Sequence, residues 1–207
     1  MKKTLSATVV AVLVSGGIAA CSGESNETAS TPAVEPAAPA AAAPVVEAPP
    51  AAQAIDFTMP DIDGVDRALS EWNGQGRLIN FWATWCAPCR REIPLLKATQ
   101  EAHGDANVQI IGVAVDDAEP VRAYAEEAQF NYPILVGQDE AMEAAETSGV
   151  DFIALPFTMI VAPGGELLKT HTGEIHQPQI DQIVAVFADL ESGALDIAGA
   201  QAALDGL

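Results

Sequence analysis

The rhythm of hydrophobic and polar positions divides this chain into three stretches. From Leu5 to Ala20 apolar residues run nearly unbroken, relieved by Ser6, Thr8, Ser15 and two glycines. From Ser22 to Ala54 large apolar side chains almost disappear, and from Ile55 onward short apolar runs alternate with segments of helical periodicity. The third stretch carries the fold. Ile55 to Met59 and the turn Asp61-Ile62-Asp63-Gly64 predict an N-terminal hairpin, followed by a strand over Leu78-Ile79-Asn80-Phe81-Trp82-Ala83. A helix then runs to about His103, interrupted by Pro94, which removes one i→i−4 bond and is expected to kink it. The unbroken run Val108 to Val115 predicts a strand buried on both faces, parallel to the first across a right-handed crossover. A helix over Glu119–Gln129, a short strand at Pro133–Val136 and a small helix over Glu140–Thr147 follow. Phe157–Val161, the turn Pro163-Gly164-Gly165 and Glu166–Thr172 predict an antiparallel hairpin. Gln179–Leu190 has Ile180, Ile183, Val184 and Phe187 on one helical face. The expected architecture is α/β, a mixed sheet flanked by helices over residues 55–191. Ser192 onward has too little apolar content for an element, so 192–207 is expected to be a tail.

The first two stretches predict an address and a tether. Lys2-Lys3 before the apolar run gives the charged and hydrophobic regions of a secretory signal over residues 1–20. Ile18-Ala19-Ala20-Cys21 resembles the lipobox of bacterial lipoproteins, which implies cleavage before Cys21 and lipid attached to it. A signal anchor is the competing reading, since the run is only slightly short for a membrane span. The small polar and Ala/Pro-rich residues of 21–54 bury too little to fold and predict a semi-extended linker reaching at most roughly 100 Å. Ser22, rather than an aspartate, follows the modified position, which permits export to the outer membrane.

Composition narrows the partners. The chain has 207 residues and a formal net charge of -20, and losing residues 1–20 removes two of its nine basic residues and none of its 29 acidic ones. Such a field argues against nucleic acid and anionic membrane surfaces as electrostatic partners. It keeps the protein soluble and biases encounters toward basic proteins.

Candidate chemistry concentrates in Trp85-Cys86-Ala87-Pro88-Cys89-Arg90, where the strand ending at Ala83 runs into a helix. A thiolate at a helix N-terminus meets the positive end of the macrodipole and unpaired first-turn N–H groups, which lowers its pKa. Cys86 is therefore the expected nucleophile and Cys89, able to reach back across the first turn, the resolving thiol. Zinc would need two further ligands, yet Cys21 is remote and His103, His171 and His176 show no paired spacing. An inert disulfide around two residues would remove little chain entropy. No metal and no cofactor beyond a redox-active Cys86–Cys89 disulfide are expected.

Phe81-Trp82-Ala83-Thr84-Trp85-Cys86-Ala87-Pro88-Cys89-Arg90-Arg91-Glu92-Ile93-Pro94, with Leu155-Pro156 later before a strand, resembles the active-site signature of the thioredoxin superfamily. More narrowly it is similar to the membrane-tethered TlpA/ResA-like thiol-disulfide oxidoreductases of bacterial envelopes, over about Ile55 to Leu190. The resemblance implies a thioredoxin-like fold with a strand–helix insertion at Tyr132–Thr147. It also implies substrate contacts from Trp85, Ala87, Pro88, Leu155 and a cis Pro156, an ordinary trans proline at the strand start being the alternative. Trp82 is expected in the core beneath Trp85. For Glu92 two readings stand: a partly buried carboxyl exchanging protons with the resolving thiol, or a first-turn glutamate favoured by the helix dipole. Asn80 occupies the place of the buried acid of thioredoxins proper, so that role cannot lie there.

The implied activity is reduction of protein disulfides, including those of apocytochrome c, by a periplasm-facing monomer recharged by a membrane electron donor. Neither Ala87 nor Pro88 can donate a hydrogen bond or positive charge to the Cys86 thiolate, which disfavours an extreme oxidant. A disulfide oxidase or isomerase is the alternative within this class. A peroxiredoxin-type thiol peroxidase is another, but Ile79 and Ala83 stand where that chemistry places Pro and Thr/Ser before the cysteine.

Overall fold

The computed structural model describes residues 54–151 and 153–207. The signal segment, Cys21 and all but the last residue of the tether lie outside the described residues. Within them run strands β1 (Thr58–Pro60), β2 (Asp66–Ala68), β3 (Gly76–Trp82), β4 (Val108–Ala114), β5 (Ile134–Val136), β6 (Phe157–Val161) and β7 (Leu167–Thr172). The helices are α1 (Ala87–His103), α2 (Ala118–Ala128), α3 (Gln138–Thr147), α4 (Gln177–Ser192) and α5 (Ile197–Ala203).

Strand β3 is buried along its whole length because it is the middle of a five-stranded sheet of order β5-β4-β3-β6-β7. It pairs parallel with β4, Leu78 opposite Ile110 and Trp82 opposite Ala114, and antiparallel with β6, Phe81 opposite Phe157. Alternation along the strand sends Leu78 and Trp82 into one core with Ile93 and Leu96 of α1 and Ile180, Ile183 and Phe187 of α4. Ile79 and Phe81 enter the other, with Met59, Leu69, Trp72 and the alanines of α3. The sheet is thus mixed and covered on both faces, as the doubly apolar runs require. This is the expected α/β architecture, with β1–β2 as the N-terminal hairpin and β5–α3 as the insertion.

Helix α1 runs to His103 as expected, with Pro94 inside it, and two other expectations are corrected. Pro94 is exposed, so the ring and the missing N–H are accommodated on the outer side. The inward face of α4 includes Val186, with Val184 only packed at its margin. Gly76 lets this face come close, since a Cβ there would lie 2.5 Å from Phe187 Cγ.

The second correction concerns the tail, which holds α5. Asp196 caps the helix by accepting from the Gly199 N–H (2.8 Å), and Ala200 and Leu204 are fully buried. Small residues hid it, because a seven-residue Ala/Gly helix needs only one or two apolar contacts to dock. The Gln201 side chain also donates to the Leu167 carbonyl of β7 (3.0 Å). Leu204→Ala is therefore expected to cost about 2–5 kcal/mol in denaturant unfolding, where a true tail residue would cost nothing measurable.

Among the described residues one cation lies inside this core. Arg77 on β3 is fully buried. Its Nη1 donates to the Leu69 carbonyl (3.2 Å) and Asn73 Oδ1 (3.1 Å), and its Nη2 to the Ala162 carbonyl (3.2 Å). Burial lowers its pKa, opposed by the charges of Asp56 and Glu166.

Candidate active site

Cys86 is the N-cap of α1, four residues past the end of β3. Extended backbone there aims its Sγ at the first turn, where it accepts from the Cys89 N–H (3.3 Å). Cys86 and Cys89 are joined as a disulfide with Cα atoms 5.3 Å apart. The bend is held from below: the Thr84 N–H and hydroxyl both donate to Asp116 Oδ2, beyond the end of β4 (3.0 and 2.5 Å). Cys86 retains 5% exposure and Cys89 none, an asymmetry that leaves the first sulfur as the one a partner can reach.

The buried face of α1 consists of Cys89, Glu92, Ile93, Leu96 and Thr99. Their three- and four-residue spacing places Glu92 one turn beyond Cys89 on the same stripe. The first-turn reading of Glu92 is thereby overturned: no acid lies in the first turn of α1, and Glu92 is 1% exposed. Its Oε1 accepts from Asn80 Nδ2 (2.8 Å) and its Oε2 from the Ile175 N–H (2.7 Å). Asn80 Nδ2 also donates to Thr158 Oγ1 on β6 (3.0 Å). Burial pushes the Glu92 carboxyl up to about 7, with a further push from the charge of Glu174, while the two donated hydrogen bonds pull it back. The Glu92 charge in turn adds to the burial that raises the Tyr132 phenol.

The remaining predicted residues fall around the same end of the sheet. The Leu155–Pro156 peptide bond is cis, and Pro156 precedes Phe157, the partner of Phe81 in the register. Trp82 is core, with Tyr124 and Phe130 rings 5.5 and 5.3 Å from its own, whereas Trp85 is 69% exposed. Ala87 is exposed, Pro88 and Leu155 half-buried. Cys21 lies outside the described residues. Among those described, no group of three or more His, Cys, Asp or Glu side chains is arranged to hold a metal ion. Thr158, Asp116, Glu174 and the Ile175 amide were not foreseen, since each reaches the site from more than 30 positions away.

The model of the AhpC/TSA family matches residues 50–170. Thiol-disulfide oxidoreductase ResA of Geobacillus thermodenitrificans is 32% identical over 129 residues, covering 61% of this chain and 71% of the relative. The chain belongs to the AhpC/TSA family and is a ResA-like thiol-disulfide oxidoreductase. ResA of Halalkalibacterium halodurans is 29% identical over 133 residues, covering 64% of this chain and 73% of that one. A thiol:disulfide interchange protein of Chlorobium tepidum shares the fold, with a TM-score of 0.60 at 24% identity over 68% of this chain and 97% of that one. The enzyme's thioredoxin-like sheet thus carries its Cys-x-x-Cys pair at the β3–α1 junction.

Proposed function

We propose that this ResA-like enzyme works in the reducing direction on exported proteins, with Cys86 as nucleophile, Cys89 as resolving thiol and Glu92 as the proton partner of Cys89. The observation that carries this reading is the buried carboxyl one turn after the buried sulfur, with a proton affinity matched to neutral pH. In the reduced protein the Cys86 thiolate attacks one sulfur of a substrate disulfide. A Cys86–substrate bond forms and the other substrate sulfur leaves as a thiolate. Cys89 then passes its proton to Glu92 and attacks Cys86 Sγ. The Cys86–Cys89 bond forms, the second substrate sulfur leaves, and two electrons have moved to the substrate. Trp85, Ala87, Pro88, Leu155 and Pro156 supply the surface on which the substrate chain lies.

The N-terminal residues and the likeness to ResA support a setting for this activity. A lipid on Cys21 holds a monomer at the periplasmic side of a membrane, the outer membrane being open to it through Ser22. A membrane electron donor reloads the dithiol, and haem-binding cysteines of apocytochrome c are a fitting substrate class. Peroxide chemistry is disfavoured by Ile79 and Ala83, both buried and without a hydroxyl to assist.

The deciding measurement is the reduction potential of the Cys86–Cys89 couple. A value near the roughly −270 mV of reducing thioredoxins is expected, and one near the roughly −120 mV of a dedicated oxidant would reverse the assigned direction. Membrane association lost in Cys21→Ala is the parallel expectation for the anchor, checked by fractionating cells.

A further inference from the structure

The segment from Gly173 to His176 joins β7 to α4 and meets the site at three points. Its Gly173 N–H donates to the Pro156 carbonyl (2.8 Å), and its Ile175 N–H donates to Glu92 Oε2 (2.7 Å). Between them Glu174 turns outward to Arg91, the neighbour of Glu92 on α1. Arg91 Nε and Nη2 both donate to Glu174 Oε2 (3.0 and 2.5 Å), and Nε also reaches Oε1 (3.3 Å). Gly173 has φ +110°, a conformation that side chains rarely adopt, so the turn into this segment is tightly specified. Four residues thus carry one amide for the proline loop, one for the buried carboxyl and one anchor to the redox helix.

An exposed ion pair ordinarily contributes little. This one differs in being forked, in having a carboxylate side chain only 21% exposed, and in lying between two amides that hold other parts of the site. We propose that Arg91 and Glu174 are positioning residues of the dithiol site: by clamping Gly173–His176 against α1 they fix the amides that hold the Glu92 carboxyl and the Pro156 carbonyl. The clamp gives the proton partner and the substrate edge a common support, and it rests on the reading of Glu92 as the proton partner of Cys89.

The clamp has an electrostatic signature that a merely structural strut lacks. The groups facing Glu92 are Cys89 on its own helix, Asn80 from β3 and the Ile175 amide, with the charges of Glu174 and Arg91 and the phenol of Tyr132 around them. Asn80 carries no charge, and Tyr132 stays protonated because burial and Glu92 itself raise it. Glu174 repels a proton-free Glu92, and Arg91 neutralises Glu174. Glu174→Gln keeps a hydrogen-bond acceptor for Arg91 but removes the repulsion. Arg91→Gln leaves the repulsion unopposed. The two changes must therefore move Glu92 in opposite directions.

The experiment follows the Glu92 carboxyl resonance against pH in the oxidised full chain with ¹³C-labelled glutamate. Glu174→Gln is expected to lower the midpoint and Arg91→Gln to raise it, each by about half a pH unit, with Arg91→Lys near wild type. Shifts of the same sign, as from a loosened loop, or no shift in either variant, would overturn the electrostatic part. In the double variant Arg91→Ala/Glu174→Ala, hydrogen exchange at the Gly173 and Ile175 amides is expected to quicken about tenfold. Unchanged exchange would overturn the clamp itself. Neither readout involves turnover, so an inert Glu92 in disulfide exchange, revealed by full insulin reduction in Glu92→Gln, is a separate result.

Discussion

Cys86→Ser is expected to lower insulin reduction by dithiothreitol to the uncatalysed background, whereas Cys89→Ser accumulates a stable mixed disulfide between Cys86 and its substrate. The two cysteines are three residues apart and their sulfurs are bonded, yet only one is open to an incoming chain: Cys86 keeps 5% exposure and Cys89 none. Cys86 also accepts the Cys89 N–H, so a negative charge on it is stabilised by the first turn of α1. Without Cys86 no covalent intermediate can start. Without Cys89 the intermediate forms but lacks the internal thiol that resolves it. Non-reducing gels with a disulfide-containing substrate check both variants, and alkylation of the reduced protein that labelled Cys89 before Cys86 would reverse the roles.

The second large effect is a stability that depends on pH through one group. Glu92 has a folded-state pKa raised from 4.5 to about 7, so the folded protein holds its proton more tightly than the unfolded chain. Below about 4.5 both states are protonated and the carboxyl contributes no difference. As pH rises from there to about 7 the unfolded chain releases the proton first, and stability falls. Above that range both states are ionised and the folded state bears the full desolvation cost. The expected loss is about 3 kcal/mol between pH 4.5 and 8. The quantity to measure is the difference between wild type and Glu92→Gln in urea unfolding of the oxidised protein, which isolates this one carboxyl. That difference should move in favour of Glu92→Gln as pH rises, and parallel profiles would show that Glu92 titrates normally.

Much of the fold is legible in the sequence because its central strands announce themselves. The runs Leu78–Ala83 and Val108–Val115 are apolar on both faces, which only a covered parallel pair demands, and the β3–β4 register bears this out. The dithiol was equally plain, since two cysteines at a strand–helix junction have few other uses. What stayed hidden was of two kinds. Helix α5 docks through Ala200 and Leu204, too sparse a pattern to register as amphipathic. The surroundings of Glu92 come from Asn80, Thr158 and Ile175, and a backbone amide 83 positions away leaves no mark in the side-chain pattern. The position of Glu92 within α1 could have been read better. Counting from Cys86 as N-cap puts it in the second turn, on the stripe with Cys89 and Leu96 rather than among the dipole-facing residues.

The buried guanidinium of Arg77 sets where this domain can be said to begin. Its two η-nitrogens fasten the loop after β2, through Leu69 and Asn73, to the Ala162 carbonyl at the turn after β6. The hairpin is tied in again where the Ile55 N–H donates to the Gly165 carbonyl (2.8 Å). A chain shortened to start at Gly76 would retain every strand of the five-stranded sheet and the whole dithiol. It would also strip Met59, Leu69 and Trp72 from the second core and leave the Arg77 guanidinium with a single hydrogen-bond acceptor. The smallest self-sufficient unit therefore reaches back past β1 to about Ile55, and the hairpin belongs to the redox domain as its counterweight.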